Sequence, residues 1–123
     1  MSNVTIRLDI KRLEGIQRNL PELAGRAIAS LAFEGEGYIK KNMGASPSAP
    51  GEFPGVDTGK LRNSIRAEKE ATLRWVVTTD TEYAAHLEFG TSRMAPRPFM
   101  SPTLDYLSQI APDWFAGFLE LSR

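Results

Sequence analysis

Cysteine is absent from the 123 residues, which excludes disulfides, thiolate metal sites and a cysteine nucleophile. His86 is the single histidine, so a His-x-x-x-His zinc pair cannot form. No apolar run approaches the ~20 residues that a membrane-spanning helix needs. Met1 to Ile6 lacks the basic start and long apolar core of a secretory signal. These absences, with a cysteine content that suits a reducing compartment, lead us to expect a soluble protein that stays where it is made. Net charge is missing too, fifteen basic residues balancing fifteen acidic ones. Strong nonspecific binding to nucleic acid or membrane therefore has no support. The same balance protects poorly against self-association, which suits a chain meant to assemble.

The length is that of one domain with one core, residues 1–123. Val4, Ile6, Leu8 and Ile10 alternate with Thr5, Arg7 and Asp9, the period of a half-buried strand. Leu13, Ile16 and Leu20 suggest a short helix containing Gly15. Pro21 then suits the first turn of a longer helix, and Lys40 and Lys41 suit its last. From Pro21 to Met43 that helix would be roughly 35 Å long. Leu23, Ala27, Leu31, Tyr38 and Ile39, widened by Ala24, Ile28 and Ala32, give it a broad apolar face to lay across a sheet.

Residues 44–56 carry three prolines and almost no periodicity, which predicts a long flexible loop. Asp57 or Thr58 would cap a short helix anchored by Leu61 and Ile65. Arg66 to Glu70 reads as a charge-guarded edge strand, Ala71-Thr72 as a turn, and Arg74 to Thr79 as the strongest strand of the chain. Asp80 or Thr81 would cap a second short helix, with Tyr83 and Leu87 on one face and Gly90 stopping it. Met94 to Phe99 is a proline-stiffened passage. Ser101 as cap and Pro102 at the first helical position then open a C-terminal helix, with Leu104, Leu107, Ala111, Trp114, Phe118 and Leu121 on one face and Pro112 kinking or dividing it.

Catalytic constellations are thin. His86-Leu87-Glu88 matches the first half of a zinc-deaminase signature whose cysteine half cannot exist here. Gly59-Lys60 fails as a phosphate-binding loop, because Pro54 and Leu61 stand where glycine and Ser or Thr are required. Lys60, Arg62, Arg66, Lys69 and Arg74 outnumber Glu68 and Glu70 by three, a surplus that fits either a solvated edge or a phosphate backbone. A DNA-binding module on segment 60–74, or a small hydrolase using His86 and Glu88, are the alternatives to an assembly protein. Arg93 and Arg97 among Met94, Pro96, Pro98 and Phe99 make a mixture common in protein interfaces.

Three segments in order carry a resemblance. Asp57-Thr58-Gly59-Lys60-Leu61-Arg62-Asn63-Ser64-Ile65, Tyr83-Ala84-Ala85-His86-Leu87-Glu88-Phe89-Gly90-Thr91-Ser92 and Met94 to Pro102, with its Arg97-Pro98-Phe99, are similar to the neck, or tail-completion, proteins of tailed bacteriophages and prophages. The resemblance implies an α+β fold: a small antiparallel sheet packed against a long N-terminal helix, with short helices and a C-terminal helix. It implies a virion structural protein at the head–tail junction or tail, made in the host cytoplasm, with no catalysis, cofactor, metal, membrane or small-molecule substrate. Its partners would be copies of itself, in a ring around the passing DNA, and other neck or tail proteins. The motif residues are Thr58, Gly59, Leu61, Arg62, Ser64, Ile65, Tyr83, Leu87, Glu88, Phe89, Gly90, Thr91, Arg97, Pro98 and Phe99.

On this reading Tyr83 to Phe99 is a rigid corner in which Tyr83, Leu87 and Phe89 pack inward and Gly90 turns the chain. Glu88 would bond either Arg97 or free N–H groups of the loop. Pro47, Pro50, Phe53 and Pro54 would meet a neighbouring subunit.

Overall fold

The computed structural model describes residues 4–9, 20–44, 49–55, 59–111 and 119–122. The order is β1 (Val4–Asp9), α1 (Leu20–Asn42), α2 (Lys60–Ser64), β2 (Arg66–Ala71), β3 (Arg74–Thr79), α3 (Ala84–Phe89), α4 (Met100–Ile110) and β4 (Leu119–Ser122). The strands form one antiparallel sheet in the order β2-β3-β1-β4. The architecture is α+β, as expected.

Alternation in β1 puts Val4, Ile6 and Leu8 on the buried face, opposite Thr79, Val77 and Trp75 of β3. Ala24, Ile28, Leu31, Ala32 and Ile39 of α1 cover that face, joined by Met43 just after it, by Leu107 of α4 and by Leu61 and Ile65. Each fully buried Ile or Leu contributes about 1.5–3 kcal/mol relative to exposure. β2 and β3 form the expected hairpin, with an irregularity between Lys69 and Ala71. Its outer edge meets α1, where the Glu36 carboxylate accepts the Ala67 N–H at 2.7 Å and the Lys40 ammonium at 3.3 Å.

Three glycines lie inside α1. A Cβ on Gly35 would stand 3.0 Å from Leu107 Cδ1 and 3.2 Å from Val77 Cγ2, so the bare backbone lets α1 pack tightly against α4 and β3 without displacing those methyl groups. Gly25 meets the hairpin turn in the same way, with the Thr72 carbonyl at 3.1 Å. Gly37 is exposed, and a Cβ there would meet nothing within 4 Å. A glycine inside an exposed stretch of helix costs about 1 kcal/mol against alanine.

The C-terminal helix is shorter than its periodicity predicts. α4 ends at Ile110, and Leu119–Ser122 is a strand rather than the end of a helix. Leu119 and Leu121 alternate around Glu120, so they suit a strand as well as the last step of a helical pattern. β1 offers them an edge, with Leu119 opposite Leu8 and Leu121 opposite Ile6. Of the helix expected over Leu13 to Leu20 only Leu20 is described, as the first residue of α1; the caps Asp57 and Thr58, the kink at Pro112 and the side chains of Trp114 and Phe118 lie outside the described residues, as does Pro47.

Candidate functional site: a capped corner between two helices

α3 and α4 meet at a corner held by one carboxylate. Glu88 leaves α3 into the interior, 4% exposed, and is the one buried charged residue among those described. Its Oε1 accepts the N–H of Phe99 at 3.0 Å and of Met100 at 2.6 Å, and its Oε2 accepts the N–H of Ser101 at 3.1 Å and the Ser101 hydroxyl at 2.5 Å. An α-helix leaves its first four N–H positions without intrahelical partners. In α4 these are Phe99, Met100, Ser101 and Pro102. Glu88 takes the three N–H groups that exist, and proline has none.

This differs from the local cap expected of Ser101. The helix starts at Met100, with Phe99 in the cap position and no side-chain bond from it. The capping group comes from eleven to thirteen residues upstream, and its charge lies at the positive end of the helix dipole. Of the two partners expected for Glu88, the free N–H groups receive it. Thr103 completes the turn by donating its hydroxyl to the Phe99 carbonyl at 2.6 Å.

Between the helices the chain folds on its own backbone. The Gly90 N–H returns to the His86 carbonyl at 2.8 Å, the Arg97 N–H to the Leu87 carbonyl at 2.7 Å, and Thr91 bridges Met94. Gly90 has φ 74° and ψ 177°, a region essentially restricted to glycine. A Cβ there would lie 2.8 Å from the Met94 carbonyl oxygen and 2.9 Å from Pro96 Cδ. The turn expected of Gly90 is present, in an extended rather than helical form. The Pro96 carbonyl accepts the Gly51 N–H at 2.9 Å, which ties residues 49–55 to the corner. In that segment Pro50 is exposed, Phe53 half-buried and Pro54 buried. Phe53 meets the Tyr38 ring edge-on at 6.0 Å, and Tyr38 stacks on Tyr106 at 4.0 Å.

Tyr83 and Phe89, expected to pack inward, are 38% and 43% exposed. The buried face of α3 is Ala84, Ala85 and Glu88, and the two alanines are small enough to let the helix approach the sheet closely. Leu87 packs against the core from a half-buried position, and Phe99 is fully buried. Nor does Asp80 or Thr81 cap α3 through its side chain; the Thr81 carbonyl accepts the Ala84 N–H at 3.1 Å.

The Thr81 hydroxyl serves another segment. It donates to Ser64 Oγ at 2.8 Å, Ser64 donates to the Leu61 carbonyl at 2.7 Å, and Thr79 Oγ1 lies 2.6 Å from Ser64 and 3.1 Å from Thr81. This triangle of hydroxyls locks α2 onto the end of β3. Gly59, in the N-cap position of α2 with φ 81°, starts the element, and Leu61 and Ile65 anchor it in the core as expected.

The alternatives find little geometry. His86 is exposed while Glu88 is buried in the cap, so the two do not converge on a common point. Among the described residues no group of three or more His, Cys, Asp or Glu side chains could hold a metal ion, and no helix is long and apolar enough to cross a membrane. In the basic segment Arg66 is bonded to Glu68 and lies 3.7 Å from Asp80, and Arg74 donates to Asp9 at 3.0 Å. Those carboxylates offset the local surplus of positive charge.

Comparison with known proteins follows the same line. Neither the curated proteins nor the solved structures give a match. The sequence profile of one family, described as "Bacteriophage HK97-gp10, putative tail-component", matches residues 10–90. The matched span runs from the end of β1 through α1, the sheet hairpin and α3 to Gly90, well over half of the chain. The chain belongs to the HK97-gp10-like family of bacteriophage tail components.

Proposed function

We propose that the protein is a non-enzymatic virion component that acts in head–tail joining or tail completion, assembling with copies of itself into a ring around the channel through which DNA passes. The observation that carries this reading is the family match across residues 10–90. The use of polar groups supports it. Glu88, Glu36 and the hydroxyls of Ser64, Thr79 and Thr81 all join one element to another, which suits a part that must hold its shape under load. Ring contacts are heterologous, one face of a subunit on a different face of the next. Pro50, the outer edge of Phe53 and the exposed Tyr83 and Phe89 supply interface chemistry for such a contact. Pro47 belongs to the same contact segment, while buried Pro54 holds that segment in place. Other neck or tail proteins would stack above and below, and DNA would pass without a sequence-specific contact. The subunit would be made in the host cytoplasm and end in the virion.

The test is deletion of the gene from the phage that encodes it, with electron microscopy of the lysate. Separate filled heads and tails, or tails of faulty length, are expected, together with rings formed when the purified protein is mixed with its neck partners. Normal infectious particles without the protein would overturn the reading.

A further inference from the structure

Of the three glycines in α1, the fold accounts for two. Gly25 and Gly35 lie under the hairpin turn and under α4, where a Cβ would press on its neighbours at 3.1 Å and 3.0 Å. Gly37 faces open space, and its cost to the helix is not returned by any contact within the described chain. One turn before it stands Phe33, at 55% the most exposed large apolar side chain among the described residues. The Phe33 ring leans edge-on to Trp75 at 5.3 Å and otherwise faces solvent. One turn after Gly37 is exposed Lys41, and exposed Glu34 lies beside Phe33. Residues three and four apart share a helix face, so Phe33, Glu34, Gly37 and Lys41 form one outward surface.

We propose that this surface binds the same surface of a second copy, the two α1 helices crossing antiparallel at Gly37 about a two-fold axis. Charge identifies the occupant. Glu34 stands three residues before Gly37 and Lys41 four residues after it, with opposite signs. An antiparallel copy crossing at Gly37 brings the second copy's Lys41 against Glu34 and against the open face of Phe33. The ammonium then meets a carboxylate and an aromatic ring together. In an isologous contact each such pairing occurs twice. The missing side chain at Gly37 lets the two backbones come close at the crossing, and helix separation follows the size of the residues there. Tyr106 steadies the acidic half by donating its hydroxyl to Glu34 at 2.7 Å. This two-fold contact is separate from the heterologous contacts of a ring and does not depend on them.

Sedimentation of the full chain over a range of concentrations tests it. A reversible monomer–dimer equilibrium is expected. Gly37→Leu, Glu34→Lys and Lys41→Glu should each weaken dimerisation about tenfold or more. The double variant Glu34→Lys/Lys41→Glu should restore it in part, because the charge pair inverts as a whole while the ammonium's contact with the Phe33 ring is lost. Gly37→Ala separates folding from association: melting temperature should rise in the monomer. A wild-type chain that stays monomeric overturns the proposal. So does a dimer indifferent to Gly37→Leu, a double reversal no better than the single ones, or Gly37→Leu blocking only the binding of a different tail protein. Loss of rings with this dimer retained would count against the ring and leave the present contact standing.

Discussion

Glu88 accepts two hydrogen bonds from Ser101, one from its N–H at 3.1 Å and one from its hydroxyl at 2.5 Å. With the bonds from Phe99 and Met100 they join the exit of one helix to the entry of the next. A carboxylate so placed is costly to remove, since truncation leaves buried donors without partners.

Replacing Glu88 with Ala is therefore expected to lower unfolding stability by about 3 kcal/mol or more, since bonds to a charged acceptor are worth roughly 1.5–3 kcal/mol each. Gln keeps one acceptor oxygen and should lose about half as much. Urea unfolding measures both, and a Glu88→Ala variant within 1 kcal/mol of wild type (on the order of one neutral hydrogen bond) would refute the cap as a stabilising element.

Gly90→Ala is expected to cost about 3 kcal/mol, the sum of a backbone strain of ~1–3 kcal/mol and a forced shift of Met94 and Pro96. Because Pro96 holds Gly51, proteolysis within residues 49–55 should speed up in the same variant. Unchanged cleavage there would show that the segment is held without Pro96.

Thr79→Val keeps the shape of the side chain and removes its hydroxyl. About 1–3 kcal/mol should be lost, because Ser64 and Thr81 each lose a buried partner. Ser64→Ala should cost a similar amount. The double variant should fall short of the sum, as neighbours in one network do. Strict additivity would mean the three hydroxyls act independently.

Tyr106 titrates above the usual tyrosine value of 10.0, first because it donates a hydrogen bond to Glu34 and then because of desolvation and the nearby charge. The folded state therefore holds this proton more tightly than the unfolded state. Its contribution to stability is complete below pH 10.0 and is lost as pH rises through the higher folded value. Ultraviolet titration should show one tyrosine shifted upward, absent in Tyr106→Phe and returned towards normal in Glu34→Gln. A Glu34→Gln titration identical to wild type would remove Glu34 as the cause.

Periodicity made β1, α1 and the β2–β3 hairpin legible, because each buries one face and the pattern of that face repeats. Gly90 was legible for a related reason, as few residues tolerate the backbone it adopts. The bonding of Glu88 was only half legible. A cap supplied by another helix leaves no local signature, so Ser101 looked sufficient. Tyr83 and Phe89 misled because apolar character is not burial: the sheet admits α3 only where it presents Ala84 and Ala85. Leu119 and Leu121 satisfied two periods at once, and β1's open edge, visible only in three dimensions, decided between them.

The sheet order also sets a timetable for synthesis. β1 pairs with β3 on one side and with β4 on the other, bringing Thr5 opposite Ser122. Pairings this far apart in sequence form slowly, since a long loop must close before they contribute. While a ribosome is still making the chain, α1 and the hairpin can dock on β1, but its second edge stays bare until residues 119–122 emerge. The nascent subunit therefore exposes an unfilled strand edge until β4 has been made.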